Sequence, residues 1–274
     1  MKRYILIFFI TLIGLNASVT NAWALDLDGS FVQGGLVVGQ TIPGSKIELD
    51  GKAVAIGDDG YFLLGFGRDA KASAMLRVTT PDGKRENRSL KIASRTYREQ
   101  RIEGLPKRKV TPNPDDVARI VADNRQIGNV RARLTPRSYF STGFIWPVQG
   151  PISGVFGSLR ILNGKPKNPH NGVDVAAPQG TVIVAPADGV VTLSHPDMFY
   201  TGKTVMIDHG LGLTSVYAHM SAILVKDGDV VRQGMPIGKI GKTGRVTGPH
   251  LHWGVTLKRT HLDPQLLTGP MPKG

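Results

Sequence analysis

From Ile145 to Val255 the chain alternates short Val- and Ile-rich runs with glycine turns, and it sustains no apolar period of 3.6 residues over any length. A helix needs that period to bury one face, whereas a strand sends every second side chain to the same side. This half therefore reads as an antiparallel β-domain. Residues 25–104 carry the same signature in a smaller unit. Gly29-Ser30 precedes FVQGGLVV, Asp58-Asp59-Gly60 precedes YFLLGF, and Pro81-Asp82-Gly83 separates Leu76-Arg77-Val78 from Leu90-Lys91-Ile92. Short strands at such intervals predict a small β-sandwich, and the Pro-Asp-Gly turn predicts a hairpin within it. Between the two units, residues 105–145 read as a basic connector with one helix. Asn113 is its expected N-cap, Pro114 its first residue, and Asp115 and Asp116 occupy the first turn, where the helix dipole favours them. The helix is expected to run about four turns, to near Gly128. The fold class is thus mainly β: a sandwich-like unit over 25–104, the connector, an antiparallel sheet over 146–266, and a tail over 267–274.

Lys2 and Arg3 precede an apolar run from Tyr4 to Leu15, a polar stretch from Asn16 to Asn21, and Ala22-Trp23-Ala24. A basic start, a short apolar core and a small-residue exit predict a secretory signal peptide over residues 1–24, with the mature chain starting near Leu25. The run is short for a bilayer span, so a periplasmic or secreted protein without integral membrane association is expected. The chain has no cysteine, which excludes disulfide scaffolds, thiolate zinc sites, iron–sulfur clusters and cysteine nucleophiles. The net charge of +13 becomes +11 without Lys2 and Arg3 and favours an anionic partner, whether nucleic acid, membrane surface or wall polymer. It is densest from Arg88 to Arg137, where 13 basic residues face 5 acidic ones. Such a run is more often a solvated face than a polymer clamp. Export argues against nucleic acid, and no basic stripe is interleaved with aromatics.

Chemistry concentrates in three short motifs: His170-Asn171-Gly172-Val173-Asp174, Tyr217-Ala218-His219 and His250-Leu251-His252. Pro169 and Gly172 disfavour a helix around the first. On extended chain, side chains two or four apart share a side, so His170 can meet Asp174 and His250 can meet His252. Imidazole and carboxylate are proper zinc ligands, and a catalytic zinc takes three of them plus an open water position. Two histidines and one aspartate satisfy that count and leave two imidazoles over. Each motif alone is more often incidental, and His219 alone reads as a buried histidine bonded to backbone behind Tyr217. Their joint presence in one exported domain raises the odds. His209 reads as a hairpin turn residue, His195 and His261 have no partner pattern, and Arg160 is a candidate groove wall.

The stretches SGVFGS, PHNGVDVAAPQGTVIVAPADGVV, IDHGLGLTSVYAHM and VKDGDVVRQGMPIGKIGKTGRVTGPHLHWGV resemble, in order, the catalytic domain of lysostaphin/LytM-type zinc metalloendopeptidases. The resemblance covers about residues 146–266. It implies one zinc ion held by His170, Asp174 and His252, with His219 and His250 acting on the attacking water and the transition-state charge. It also implies an open β-groove and peptidoglycan as substrate. A non-catalytic wall-binding relative of the same fold is the rival reading, and a basic binder of nucleic acid or anionic lipid is a more distant one.

Overall fold

A computed structural model describes residues 25–272; the leader expected over 1–24 lies outside them. The first unit contains β1 (Asp26–Gly29), β2 (Leu36–Gln40), β3 (Lys46–Leu49), β4 (Lys52–Val54), β5 (Tyr61–Gly65), β6 (Ser73–Thr79) and β7 (Arg85–Lys91). They form two antiparallel sheets, β1-β2-β5 and β4-β3-β6-β7. In β6 the alternation is strict: Ala74, Leu76 and Val78 are buried while Ser73, Met75 and Arg77 are exposed. Those three pack with Val37, Phe62 and Leu64 of the facing sheet, which makes a small sandwich. The Pro81-Asp82-Gly83 turn joins β6 to β7, with Gly83 at φ 85° and Thr80 N donating to Lys84 O at 3.0 Å.

The sheet β1-β2-β5 has a second buried face. Leu36 and Leu63 point away from the sandwich and join the core of the C-terminal unit. Asp263, almost wholly buried, pairs with Arg95 at 2.8 Å across the same boundary.

The connector is built rather than loose. After β8 (Glu99–Ile102), which lies ahead of it, residues 105–145 hold α1 (Lys107–Val110), α2 (Pro114–Arg131) and a 3-10 turn at Tyr139–Thr142, where the sequence predicts one helix. Asn113 caps α2, its Oδ1 accepting from Asp116 N at 2.8 Å. The helix does not stop at Gly128 but continues to Arg131. Glycine in a helix costs about 1 kcal/mol, whereas burying a valine side chain returns about 1.5 kcal/mol or more. Val130 does so against Leu193, Met198, Met206 and Val216.

The C-terminal unit contains β9 (Ile152–Gly154), β10 (Leu159–Leu162), β11 (Lys165–Lys167), β12 (Val173–Ala176), β13 (Val182–Val184), β14 (Gly189–Met198) and β15 (Gly202–Gly210). It continues with β16 (Leu213–Met220), β17 (Ala222–Ile223), β18 (Val230–Val231), β19 (Pro236–Lys239), β20 (His250–Leu257), β21 (Thr260–Leu262) and α3 (Gln265–Thr268). Its main sheet runs β18-β14-β15-β16-β20-β12-β9, with β21 on β20. Every residue of β16 is buried, because one face meets the core around Tyr217 and Trp253 while α2 lies against the other. A small sheet, β13-β19-β17, packs beside it.

β10 and β11 form an arm to which β8 adds in parallel. From there residues 105–110 cross to the β14–β15 turn. Leu105 and Val110 pack on Leu162, Leu105 exchanges two hydrogen bonds with the Asn163 side chain at 2.7 and 3.1 Å, and Lys109 Nζ donates to Phe199 O at 2.5 Å. Arg108, part of the basic run, pairs with buried Asp116 at 2.6 Å.

Candidate metal and hydrolytic site

The antiparallel register of β12 and β20 sets Asp174 opposite His252 and Ala176 opposite His250. Opposed residues share a face, as do residues two apart, so Asp174, His250 and His252 must point the same way. His170 reaches them from the segment before β12, where its N–H donates to Ser158 O at 2.9 Å. Gly172 lets that segment lie close on β20: a Cβ there would stand 2.4 Å from Trp253 O and 2.8 Å from His252 Cε1.

His219 breaks the alternation. Ala218 opposes His252 and takes its face, so a regular strand would send His219 into the core beside Tyr217. Its φ of 66° is in the left-handed region, which turns the ring back toward His250 and His252, with centroids at 4.9 and 6.2 Å. Both expectations for this residue therefore coexist: the ring is buried and bonded to Thr243 O at 2.8 Å, and it still faces the site.

Asp174 Oδ1 lies 3.0 Å from His170 Nε2 and 2.8 Å from His252 Nδ1, and those two nitrogens are 2.9 Å apart. Donors around a tetrahedral zinc lie about 3.3 Å apart, so the triplet needs to open by only a few tenths of an ångström. Its protonation fits as well. Burial pushes His170 down to about 4, partly opposed by the neighbouring Asp174, so the imidazole is neutral, with its N–H at Nδ1 facing Val155 O and its lone pair at Nε2. Burial would raise the Asp174 carboxyl, but its contacts with His170 and His252 hold it well below the usual carboxylate range. Neutral imidazoles with an ionised carboxylate are what a divalent cation requires. The outer partners are also in place. His170 Nδ1 bonds to Val155 O at 3.1 Å, and Arg160 Nη2 donates to Asp174 Oδ2 at 2.6 Å.

The two remaining imidazoles are oriented alike. His250 Nδ1 meets Gly248 O at 2.9 Å, as His219 Nδ1 meets Thr243 O. Each Nδ1–H donor leaves Nε2 as the free acceptor of the neutral ring. Burial, reinforced by His250 and His252, holds the His219 imidazole well below its ordinary range.

Arg160 is thus a partner of Asp174 as well as a wall of the cavity beside the histidines. Tyr200, Thr243 and Arg245, which no motif reading singled out, belong to the same neighbourhood. His209 lies at the end of β15 beside a turn, yet it is fully buried, bonded to Asp188 O at 2.6 Å and to Ser215 Oγ at 2.8 Å, away from the cluster.

Residues 168–264 match the family model of peptidase family M23. The DD-carboxypeptidase/endopeptidase Mpg of Neisseria meningitidis is 44% identical over 104 residues, 38% of this chain and 24% of that protein. The peptidoglycan DD-endopeptidase ShyA of Vibrio cholerae is 45% identical over 105 residues, again 38% and 24%. The chain thus spans about a quarter of the length of these relatives. A solved structure from Pseudomonas aeruginosa, provisionally assigned to peptidase M23, is similar over 87% of this chain and 95% of its own, at 31% identity and a TM-score of 0.66. With the motifs, their register in the sheet and a likeness running through both units, the chain belongs to peptidase family M23.

Proposed function

We propose that the chain is an exported zinc metalloendopeptidase that hydrolyses peptide bonds in peptidoglycan stems or cross-links. The observation that carries this reading is the convergence of four imidazoles and one carboxylate, three of whose donor atoms lie within 4.8 Å of one another. The activities named for its relatives supply the substrate class. Export rests on the leader pattern; Leu25, where the mature chain is expected to start, is buried in the sandwich core. Among the described residues no helix is long and apolar enough to cross a membrane.

In this reading His170, Asp174 and His252 hold the zinc. When bound, the metal supplies Lewis-acid polarisation of the scissile carbonyl and lowers the pKa of water to about 7. Asp174 keeps its charge for that purpose because Arg160 pairs with it. His219 and His250 present Nε2 lone pairs from rings locked by backbone carbonyls, so a proton leaving the attacking water has an acceptor already in place. Once protonated, the same ring can donate to the carbonyl oxygen as charge develops there.

Measuring zinc content alongside release of muropeptides from purified sacculi tests the assignment. His252→Ala should lose both, whereas His219→Ala and His250→Ala should keep zinc and lose cleavage by about 10²- to 10⁴-fold. A wild-type protein that takes up no zinc and leaves sacculi intact would overturn it. Complementation of a deletion phenotype by His219→Ala and His250→Ala would make wall binding, rather than hydrolysis, the function.

A further inference from the structure

The cavity beside the histidines, about 390 Å³, is lined by Arg160, Lys167 and Arg245 and by no carboxylate. Two of these cations are already engaged: Arg160 donates to Asp174, and Lys167 Nζ donates to Val110 O at 2.9 Å. Arg245 is different. Among the described residues its guanidinium has no carboxylate within 4 Å and no hydrogen-bond acceptor, although it is half-buried. Burial lowers its pKa, with Arg160 adding to the effect and Tyr200 opposing it, so the protein holds a desolvated charge with no ion-pair partner among the described residues.

The placement is rigid. The guanidinium lies over the Tyr200 ring at 4.3 Å from the centroid, and Arg245 N donates to Tyr200 O at 2.8 Å. Gly244, at φ 79°, brings the two backbones so close that a Cβ would stand 2.4 Å from Tyr200 O. Thr243 anchors the same loop, its Oγ1 accepting from Lys203 N and donating to Met220 O, both at 2.9 Å. The carbonyl of Thr243 is the one that orients His219, so Arg245 sits two residues from a fixed point of the site. Arg245 also lines the smaller cavity that contains His219 and His250, so it stands at the junction of the two spaces flanking His219.

A guanidinium stacked on an aromatic ring with its fork unpaired is a ready receptor for a planar carboxylate. We infer that Arg245 is a specificity-determining residue that binds a carboxylate of the substrate peptide next to the scissile bond. The inference rests on the proposed peptidase function and narrows its substrate to peptides carrying a free carboxylate at that place. The carboxylate belongs either to a residue within the stem or to the C-terminus of the peptide, and both present the same chemistry.

Three synthetic cross-linked stem peptides separate the possibilities: one with all carboxylates free, one amidated only at the C-terminus, and one amidated only at its internal carboxylate. Cleavage kinetics and calorimetric affinities would be measured for wild type, Arg245→Gln and Arg245→Lys in the zinc-loaded full chain. Wild type should lose about 10- to 100-fold in kcat/KM, mostly through KM, on amidation of the group Arg245 binds. The arm in which that happens identifies the source. Arg245→Gln should lose as much on the free peptide and become indifferent to amidation, with Arg245→Lys between the two. Unchanged thermal midpoints would exclude misfolding. A wild type that treats all three peptides alike within threefold, or an Arg245→Gln that keeps the wild-type preference, would overturn the inference. If no peptide is cleaved, the peptidase reading fails by itself. The affinity ratio of free to amidated peptide, compared between wild type and Arg245→Gln, then decides the role of Arg245.

Discussion

Replacing Arg160 by methionine should destabilise the metal-free protein by an amount its surroundings specify. The side chains of Arg160 and Asp174 are only 18% and 9% exposed, and their contact is 2.6 Å. Removing one partner of such a pair leaves a buried charge and costs about 3–5 kcal/mol. Asp174 retains two imidazole contacts, which places the cost at the lower end. Arg160 Nε is itself buried without an acceptor among the described residues, and losing that unsatisfied donor returns about 1 kcal/mol. The balance is about 2–3 kcal/mol, or a fall of about 4 to 12 °C in the thermal midpoint for a chain of this size. Thermal unfolding followed by circular dichroism, after chelation and after zinc loading, measures it. In the proposed site zinc would compensate Asp174 independently, so the loss should shrink when the metal is bound. The double variant Arg160→Met/Asp174→Asn removes both charges and should recover part of the midpoint. A metal-free Arg160→Met that melts within 2 °C of wild type, or a double variant less stable than the single one, would mean that this pair does not hold the carboxylate as described.

Gly154 opposes Asp174, and a Cβ there would fall 2.4 Å from Asp174 Oδ2; Gly154→Ala should weaken zinc binding by about 10- to 100-fold, read from competition with a chelating dye. Burial holds His209 at about 4, whereas the unfolded side chain titrates near 6.5. The folded ring stays neutral between these values while the unfolded one takes up a proton. Stability is therefore complete above about pH 6.5 and falls as the pH drops toward 4, and His209→Gln should remove up to about one proton from that slope in denaturant titrations. His219→Gly and His219→Ala both remove the imidazole, but only glycine is at ease at φ 66°. The glycine variant should be more stable than the alanine variant by about 1 kcal/mol, and equal midpoints would contradict the strained backbone.

The parts legible in the sequence are those governed by local periodicity. Alternation in β6, the Pro-Asp-Gly hairpin and the Asn113 cap each follow from neighbours in the chain. Period two likewise puts His250 and His252 on one face, whereas setting Asp174 opposite His252 takes the pairing of β12 with β20, which only the family resemblance implies. What escaped depended on distant partners. Alternation alone places His219 in the core; the resemblance implies its place at the site, and its left-handed φ turns the ring there. Arg245 reads as one more basic residue in a turn until Tyr200 is seen beneath it. The connector's charge reads as solvated, and Arg108 stays exposed while it pairs with Asp116, but Lys109 is engaged with Phe199, 90 residues away. The end of α2 escaped for a similar reason: Gly128 signals a stop, and the packing of Val130 overrides it.

The two-faced sheet β1-β2-β5 bears on how the protein can be divided. A module on a tether can be cut away without disturbing its neighbour, but Leu36 and Leu63 are interior residues of the C-terminal unit contributed by the N-terminal one. Trimming the chain to the 168–264 family match would leave an apolar floor facing water and Asp263 without Arg95. The smallest cooperative piece is therefore larger than the smallest recognisable one. Heating should melt the accessory and peptidase units in a single transition, and a trimmed peptidase unit should self-associate through the uncovered surface.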